Sequence, residues 1–356
     1  MFPQNYLNLP AELSGSVAKN RFRWEMLWGL HRIFEVYDTT EDFTVIFDYV
    51  CDVEIHTPND STYYQIKTRK NTKPYTTNEI CKTEINKKTG ETIHSILGKL
   101  YLIKHKSDQS KRAYVAIVSD VGLVHKGKEY INKLEYHLCE LDDDGKDKII
   151  SELKKEFPGI VIDLNDFLFI RSFMDLAHPE DVIRGEIVKW FPTHKGGEVK
   201  NPNALYQTLS DLVRDKASFE WKVGTLEELT ANKGITRSDF DRITEFHTQK
   251  AADGVELSKQ WINENYRQYR TRVKALNDLS TMVRYRSIDT RLFSIISLIE
   301  TLAESDETPE DLDTKGLIAY IHKKTVNLAP ADYTSTQIEM LILVTLKRLE
   351  EEACLS

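Results

Sequence analysis

The spacing of apolar residues changes repeatedly along the N-terminal half of the chain, and each change predicts an element. Between Ala18 and Tyr37 the side chains of Phe22, Trp24, Leu27, Trp28, Leu30, Ile33 and Phe34 recur at helical spacings, which describes a long helix with a broad buried face. Ser14, Gly15 and Ser16 precede it as a cap-like cluster. Phe43 to Ile55 then turns to β-branched and aromatic residues, fitting two strands or one bent strand, and Thr57-Pro58-Asn59-Asp60 closes it with turn chemistry. From Ser61 to Arg69 the period is two. Tyr63, Gln65 and Lys67 share one face, and Tyr64, Ile66 and Thr68 the other, as expected of a partner strand across that turn.

A polar, lysine-rich loop follows, after which Ile93, Ile96, Leu97, Leu100 and Ile103 mark Thr92–His105 as an amphipathic helix. Ala113–Ser119 reads as a buried strand, and a helix that returns to a strand in this way indicates a mixed α/β sheet. Ile160–Leu164 and Phe167–Phe173 read as further strands, and Pro179–Phe191 as a helix opened by proline. Pro192–Asn203, with two glycines and two prolines, is the best linker. The chain is therefore divided into an α/β domain at 1–200 and an all-α domain at 201–356, the latter with helical periods in Leu205–Val213, Ser258–Leu279, Thr290–Ala303 and Thr336–Glu352. Leu226–Lys233, Gly234 and Thr236–Phe246 have the outline of a helix-turn-helix, a pattern that more often reflects simple packing. The apolar run Leu292, Phe293, Ile295, Ile296, Leu298 and Ile299 exceeds what one packed layer requires, which points to a partner-binding or self-associating module.

Composition narrows the function classes. With 40% hydrophobic and 29% charged residues the 356-residue chain is an ordinary globular one, and no apolar run approaches the roughly 20 residues that cross a bilayer. The start, MFPQNYLNLPAEL, has neither the basic opening nor the apolar stretch of a secretory signal, so a cytosolic protein without membrane attachment is expected. Four cysteines lack metal-finger spacing, the histidines share no ligand spacing, and neither GxxxxGK[ST] nor GxGxxG occurs. The net charge of −8 argues against indiscriminate coating of nucleic acid, yet Lys67–Arg112 holds twelve basic against four acidic residues. Arg69, Lys70, Lys73, Lys82, Lys87 and Lys88 are thus candidates for phosphate contacts, with a solvated loop and helix face as the alternative.

The same alternation places chemistry. A carboxylate at the end of one strand, with an oxygen ligand and a lysine two residues apart on the next, converges on one metal and one water, which suffices to cut a phosphodiester. Asp52 and Gln65-Ile66-Lys67 have that arrangement. Asp52 lies among Val50, Cys51, Val53 and Ile55, where a lone carboxylate is costly, so it calls for a metal or for Lys67; a structural cross-strand ion pair with Lys67 is the alternative. Glu54 shares the parity of Asp52 and is a second candidate ligand. Gln65 supplies a neutral carbonyl where many such sites carry an acid. Lys67 would orient the attacking water or stabilise the transition state. Glu25, on the first helix, is either a third ligand or the partner of Arg21 one turn earlier. Hard oxygen donors favour Mg²⁺, with Mn²⁺ as its substitute.

The run GSVAKNRFRWEMLW at 15–28, the Asp52-Val53 strand, Tyr63-Tyr64-Gln65-Ile66-Lys67-Thr68-Arg69-Lys70, Ile96-Leu97-Gly98-Lys99-Leu100-Tyr101 and Val118-Ser119-Asp120 together resemble the Cap-four-type dsDNA endonuclease domain of bacterial antiphage defence. The resemblance implies a restriction-endonuclease-like (PD-(D/E)xK) α/β core and Mg²⁺-dependent cleavage of double-stranded DNA. It also implies active-site positions at Asp52, Gln65 and Lys67, with Glu25 on the helix. The helical remainder looks more like the nuclease subunit of Lamassu-type systems, with an SMC-like ATPase and a small accessory subunit as partners and a homo-oligomer as the active form. A catalytically silent DNA-binding scaffold that keeps the fold is the alternative.

Overall fold

The first helix, α1 (Ser14–Tyr37), buries Trp24, Leu27, Trp28, Leu30, Ile33 and Phe34 on one face. It begins earlier than the apolar pattern indicated: Leu13 is the N-cap and makes no side-chain cap, so Ser14, Gly15 and Ser16 lie inside the first turn. In the computed structural model, residues 13–355 are described, apart from 70–71, 108–109, 127, 130–133, 249–252, 287–288, 290, 306–307 and 310.

Behind α1 stands a seven-stranded mixed sheet. Its strands are β1 (Thr44–Phe47), β2 (Val53–His56), β3 (Asp60–Ile66), β4 (Arg112–Ser119), β5 (Glu135–His137), β6 (Phe167–Arg171) and β7 (Gly234–Thr236). The spatial order is β5-β6-β4-β3-β2-β1-β7. β3, β4 and β6 run parallel to one another, whereas β1, β2, β5 and β7 are joined antiparallel. Val53 lies opposite Tyr64 and Gln65 opposite Ile117, which fixes the faces. Tyr63, Val115, Ile117, Phe167 and Phe169 form one core with α2 (Ile96–Lys106) and α3 (Asp143–Glu156). On the other face Tyr64 meets Trp28 of α1 edge-on, with centroids 5.0 Å apart. The period-two reading of Tyr63 and Tyr64 is thus reproduced by the two cores.

Three local expectations change. Thr92–Ile93 pairs with Glu84–Ile85 as a small hairpin, so α2 starts only at Ile96, where the Ser95 hydroxyl accepts from Gly98 N at 2.9 Å. Ile160–Leu164 forms no strand; Ile162 and Leu164 fill the core from irregular chain. The division into domains also does not fall once near residue 200. One compact unit takes residues up to 186 together with 213–237, and the other takes 187–212 and 238–356. Residues 213–237 rejoin the sheet because Ile235 pairs with Val45 on β1, and 187–212 join the helices through contacts such as Trp190 on Phe240 at 5.3 Å.

In the second unit the helix Ser335–Leu355 is apolar on every side over Met340–Val344, the mark of a central buried helix. Around it pack Val255–Asn265, Tyr269–Tyr285, Arg291–Glu304 and Thr314–Thr325. The single helix read over Ser258–Leu279 is two, broken at Tyr266–Gln268. Leu292, Phe293, Ile295, Ile296 and Ile299 are buried in this unit's own core and Leu298 is half-buried, so the apolar excess that suggested a partner surface belongs to the interior. No helix among the described residues is long and apolar enough to cross a membrane.

The approach of α1 to the sheet is set by Gly29, where an added Cβ would lie 2.5 Å from Phe47 Cε1 and 3.0 Å from Val53 Cγ2. Gly29→Ala is therefore expected to destabilise the protein by about 1–3 kcal/mol through overpacking. Chemical denaturation would read this as a lower midpoint at unchanged slope, and an unchanged midpoint would show that the helix can back away from the sheet without loss.

Candidate active site

β1 ends at Phe47 and β2 begins at Val53, so residues 48–52 must reverse the chain in a tight turn. Asp48 takes a left-handed φ of 49°, its N–H donates to Asp52 O at 3.0 Å, and Tyr49 N donates to Cys51 O at 3.2 Å. Glu54 ties the turn from β2: its Oε1 accepts from Val50 N at 2.7 Å and Cys51 N at 3.3 Å, and its Oε2 meets His56 Nε2 at 3.1 Å. Both oxygens of this buried acid are engaged, one in holding the turn and the other by His56 of β2.

Asp52 is brought by this turn against the end of β3. Its Oδ2 accepts from the Gln65 side-chain amide and from Ile66 N. Past β3 the ladder continues as Lys67 N donates to Val118 O at 2.8 Å, and Ser119 Oγ donates to Lys67 O at 2.8 Å. The Lys67 ammonium donates to Ile66 O at 3.0 Å. Among the described contacts no Asp52–Lys67 ion pair forms, although the two charges act on one another.

Glu25 reaches the same place from α1. Its carboxyl has no hydrogen-bond or ion-pair partner among the described contacts, Arg21 included, and its pKa is raised from 4.5 to about 7. Burial is the main cause, reinforced by Asp52 and Asp48 and opposed by Lys67 and Arg21. Burial likewise raises Asp52, against the pull of Lys67, the Ile66 N–H and the Gln65 amide. Glu25, Asp52, Gln65 and Lys67 therefore form one electrostatic site. Among the described residues no three His, Cys, Asp or Glu side chains are grouped to hold a metal; the side-chain oxygens of this site are those of the Glu25 and Asp52 carboxyls and the Gln65 amide.

The basic residues divide differently. Arg69 is committed to its own loop: its guanidinium lies over the Tyr75 ring at 3.7 Å and donates to Glu79 at 2.6 Å, while its N–H donates to Asp120 Oδ1 at 3.0 Å. Lys73 is exposed beside that loop, Lys82 is exposed ahead of the small hairpin, and Lys87 and Lys88 sit exposed in its turn. Lys70 lies outside the described residues. Arg171, which sequence reading did not select, lines a cavity of about 480 Å³ with Arg69, Asp120 and Phe173, and has no ion-pair partner among the described contacts. Its position at the end of β6, the strand beside β4, was the available signal.

Residues 13–217 match the family model described as Cap4, dsDNA endonuclease domain. The chain belongs to this endonuclease family. Among curated proteins and solved structures nothing matches significantly. The Cap4 match spans Glu25, Asp52, Gln65 and Lys67 and makes DNA endonuclease the activity class of the chain.

The raised pKa of Glu25 has a consequence for stability. A carboxyl whose folded pKa lies above its unfolded one incurs no penalty below about pH 4.5, and a growing one as pH rises through about 7. Glu25→Gln removes that penalty, so in EDTA it should melt higher than the parent at about pH 8, by at most about 3 kcal/mol, with the advantage gone near pH 4.5. A difference in melting temperature that stays constant across this range would mean that Glu25 is not held as a desolvated acid.

Proposed function

We propose that the chain is a divalent-metal-dependent endonuclease that hydrolyses double-stranded DNA at Glu25, Asp52, Gln65 and Lys67. The observation that supports this best is the convergence of two desolvated carboxylates, one of them without a hydrogen-bond partner among the described contacts, on a strand end that also carries an amide and a lysine that forms no ion pair among those contacts. Two buried carboxyls, one of which raises the pKa of the other, suit a cation, and the family match supplies the substrate class. The order of parts, an acid before β2 and Gln-x-Lys at the end of β3, is that of a PD-(D/E)xK site with Gln65 in place of the second acid.

Asp52, the Gln65 side-chain oxygen and Glu25 would hold Mg²⁺, or Mn²⁺ in its place. The ion supplies polarisation of the phosphoryl group and a water of lowered pKa. Lys67, tethered by Ile66 O beside Asp52, offers its charge to the oxygens that become more negative in the transition state. Glu25, with a pKa near 7, gives up its proton easily enough at neutral pH to serve as ligand or base. Glu54, as second ligand, would have to release the turn it holds, so its role is to keep Asp52 in place. The DNA backbone would run over Arg171 and the exposed lysines 82, 87 and 88, contacts that read charge rather than sequence.

Control by assembly belongs to the same proposal, because such an enzyme would also cut the DNA of its host. The helical unit, mostly outside the family match, is the part of the chain left for partner subunits, such as the ATPase and accessory subunit of a Lamassu-type system, and for self-association.

The test is cleavage of linear and plasmid double-stranded DNA with Mg²⁺ across a range of protein concentrations, beside EDTA and Lys67→Ala. Loss of one such charge is worth around 3 kcal/mol, so cleavage should fall about a hundredfold while the fold and DNA affinity persist. A steep rise of specific activity with concentration would support control by assembly, and equal activity in monomer and oligomer fractions would contradict it. Binding of DNA with no metal-dependent cutting by folded protein would instead favour the silent scaffold, the reading that Gln65 motivates.

A further inference from the structure

Lys233 is a lysine in the wrong place for an ordinary surface cation. It ends the helix α4 (Leu226–Lys233), is only 6% exposed, and forms no ion pair among the described contacts. Its ammonium donates instead to two backbone carbonyls, Asp48 O at 2.8 Å and Phe47 O at 3.4 Å. These belong to the last residue of β1 and the first of the turn that delivers Asp52.

The local chain is built for this contact. The β1–β7 ladder stops at Ile46 opposite Gly234, and the Lys233 side chain takes up the next two carbonyls beyond it. Gly234 lets α4 run straight into β7: a Cβ there would lie 2.7 Å from Thr230 O and 3.2 Å from Ile46 Cδ1. Burial disfavours the charged form of Lys233, while Asp48 and Glu54 favour it. A methionine would fill the same space without that cost, so packing alone does not explain an ammonium here. What the ammonium adds is a fixed donor to a turn whose first residue sits at φ 49° and whose last residue is Asp52.

We propose that Lys233 is a positioning residue of the endonuclease, clamping the turn 48–52 so that the Asp52 carboxylate is held at the end of β3. Lys233 lies beyond the family match, which ends at 217, so the site depends on a residue that the match does not cover. The inference rests on the reading of Asp52 as an active-site residue only for its effect on rate. Its effect on the turn stands apart from that reading.

Lys233→Met and Lys233→Arg in the full chain test it by two measurements. In hydrogen exchange without metal, Lys233→Met should exchange faster over residues 48–52 while β3 and β4 stay protected, and Lys233→Arg should restore protection. In cleavage, Lys233→Met should lower kcat on the order of a hundredfold with little change in KM for DNA, and should need more Mg²⁺ for half-maximal rate. Exchange over the turn equal to the parent's would overturn the proposal whether or not the protein cuts DNA. So would equal losses of kcat, DNA affinity and melting temperature that arginine does not relieve. A loosened turn in a protein whose parent shows no metal-dependent cleavage would uphold the clamp and sink only the proposed activity.

Discussion

A carboxylate set where apolar strands end cannot be left to water or to chance, and the way Asp52 is held organises the nuclease unit around it. Its Oδ2 is anchored by the Ile66 N–H and the Gln65 amide, so β3 itself provides the seat. The approach from the other side is a five-residue turn with a left-handed residue at its start, a conformation that non-glycine residues adopt only when their surroundings insist on it. Glu54 supplies that insistence from β2 through two backbone N–H groups, and Lys233 from α4 through two carbonyls. The register of β2 on β3, with Val53 opposite Tyr64, then leaves no freedom in where Asp52 arrives.

Three acids near this turn have different uses because their partners differ. Glu54 has its oxygens taken by two N–H groups and a histidine, and is a structural acid. Asp52 has one oxygen satisfied and is pushed towards the neutral form by burial. Glu25 has no partner among the described contacts, and burial with Asp52 beside it raises its pKa to about 7. Parity along a strand put Asp52 and Glu54 on the same footing, and only the hydrogen bonds separate them. This is the kind of asymmetry by which one small site keeps some acids for architecture and others for chemistry.

Much of this was legible beforehand, for a definite reason. The alternation along β3 is a consequence of strand geometry, and Tyr63 and Tyr64 lie on the opposite faces it assigned them, although the strand itself ends at Ile66, before Lys67 and Thr68. The helix of Trp24, Trp28 and Ile33 and the buried strand at Ala113–Ser119 have equally direct signals. What failed did so where apolar character was taken for regular structure: Ile160–Leu164 packs without a ladder, and Ile93 belongs to a hairpin rather than to the helix that starts at Ile96. Arg69 read as a phosphate contact because composition carries no information about Tyr75 and Glu79, which hold it. Lys233 was invisible because nothing local distinguishes a buried lysine from a solvated one at the end of a charged helix.

That last failure bears on how the chain is divided. A linker-like composition at Pro192–Asn203 suggested one cut, yet the sheet takes back 213–237 and with it the lysine that meets Asp48 from 185 residues away in sequence. The helical unit, in turn, spends its most apolar run on its own interior. Hydrophobic excess in one sequence segment therefore says little about partners until the core it serves has been found. For this endonuclease, a surface for the proposed control by assembly is better sought among charged and half-buried positions of the helical unit than in its apolar stripes.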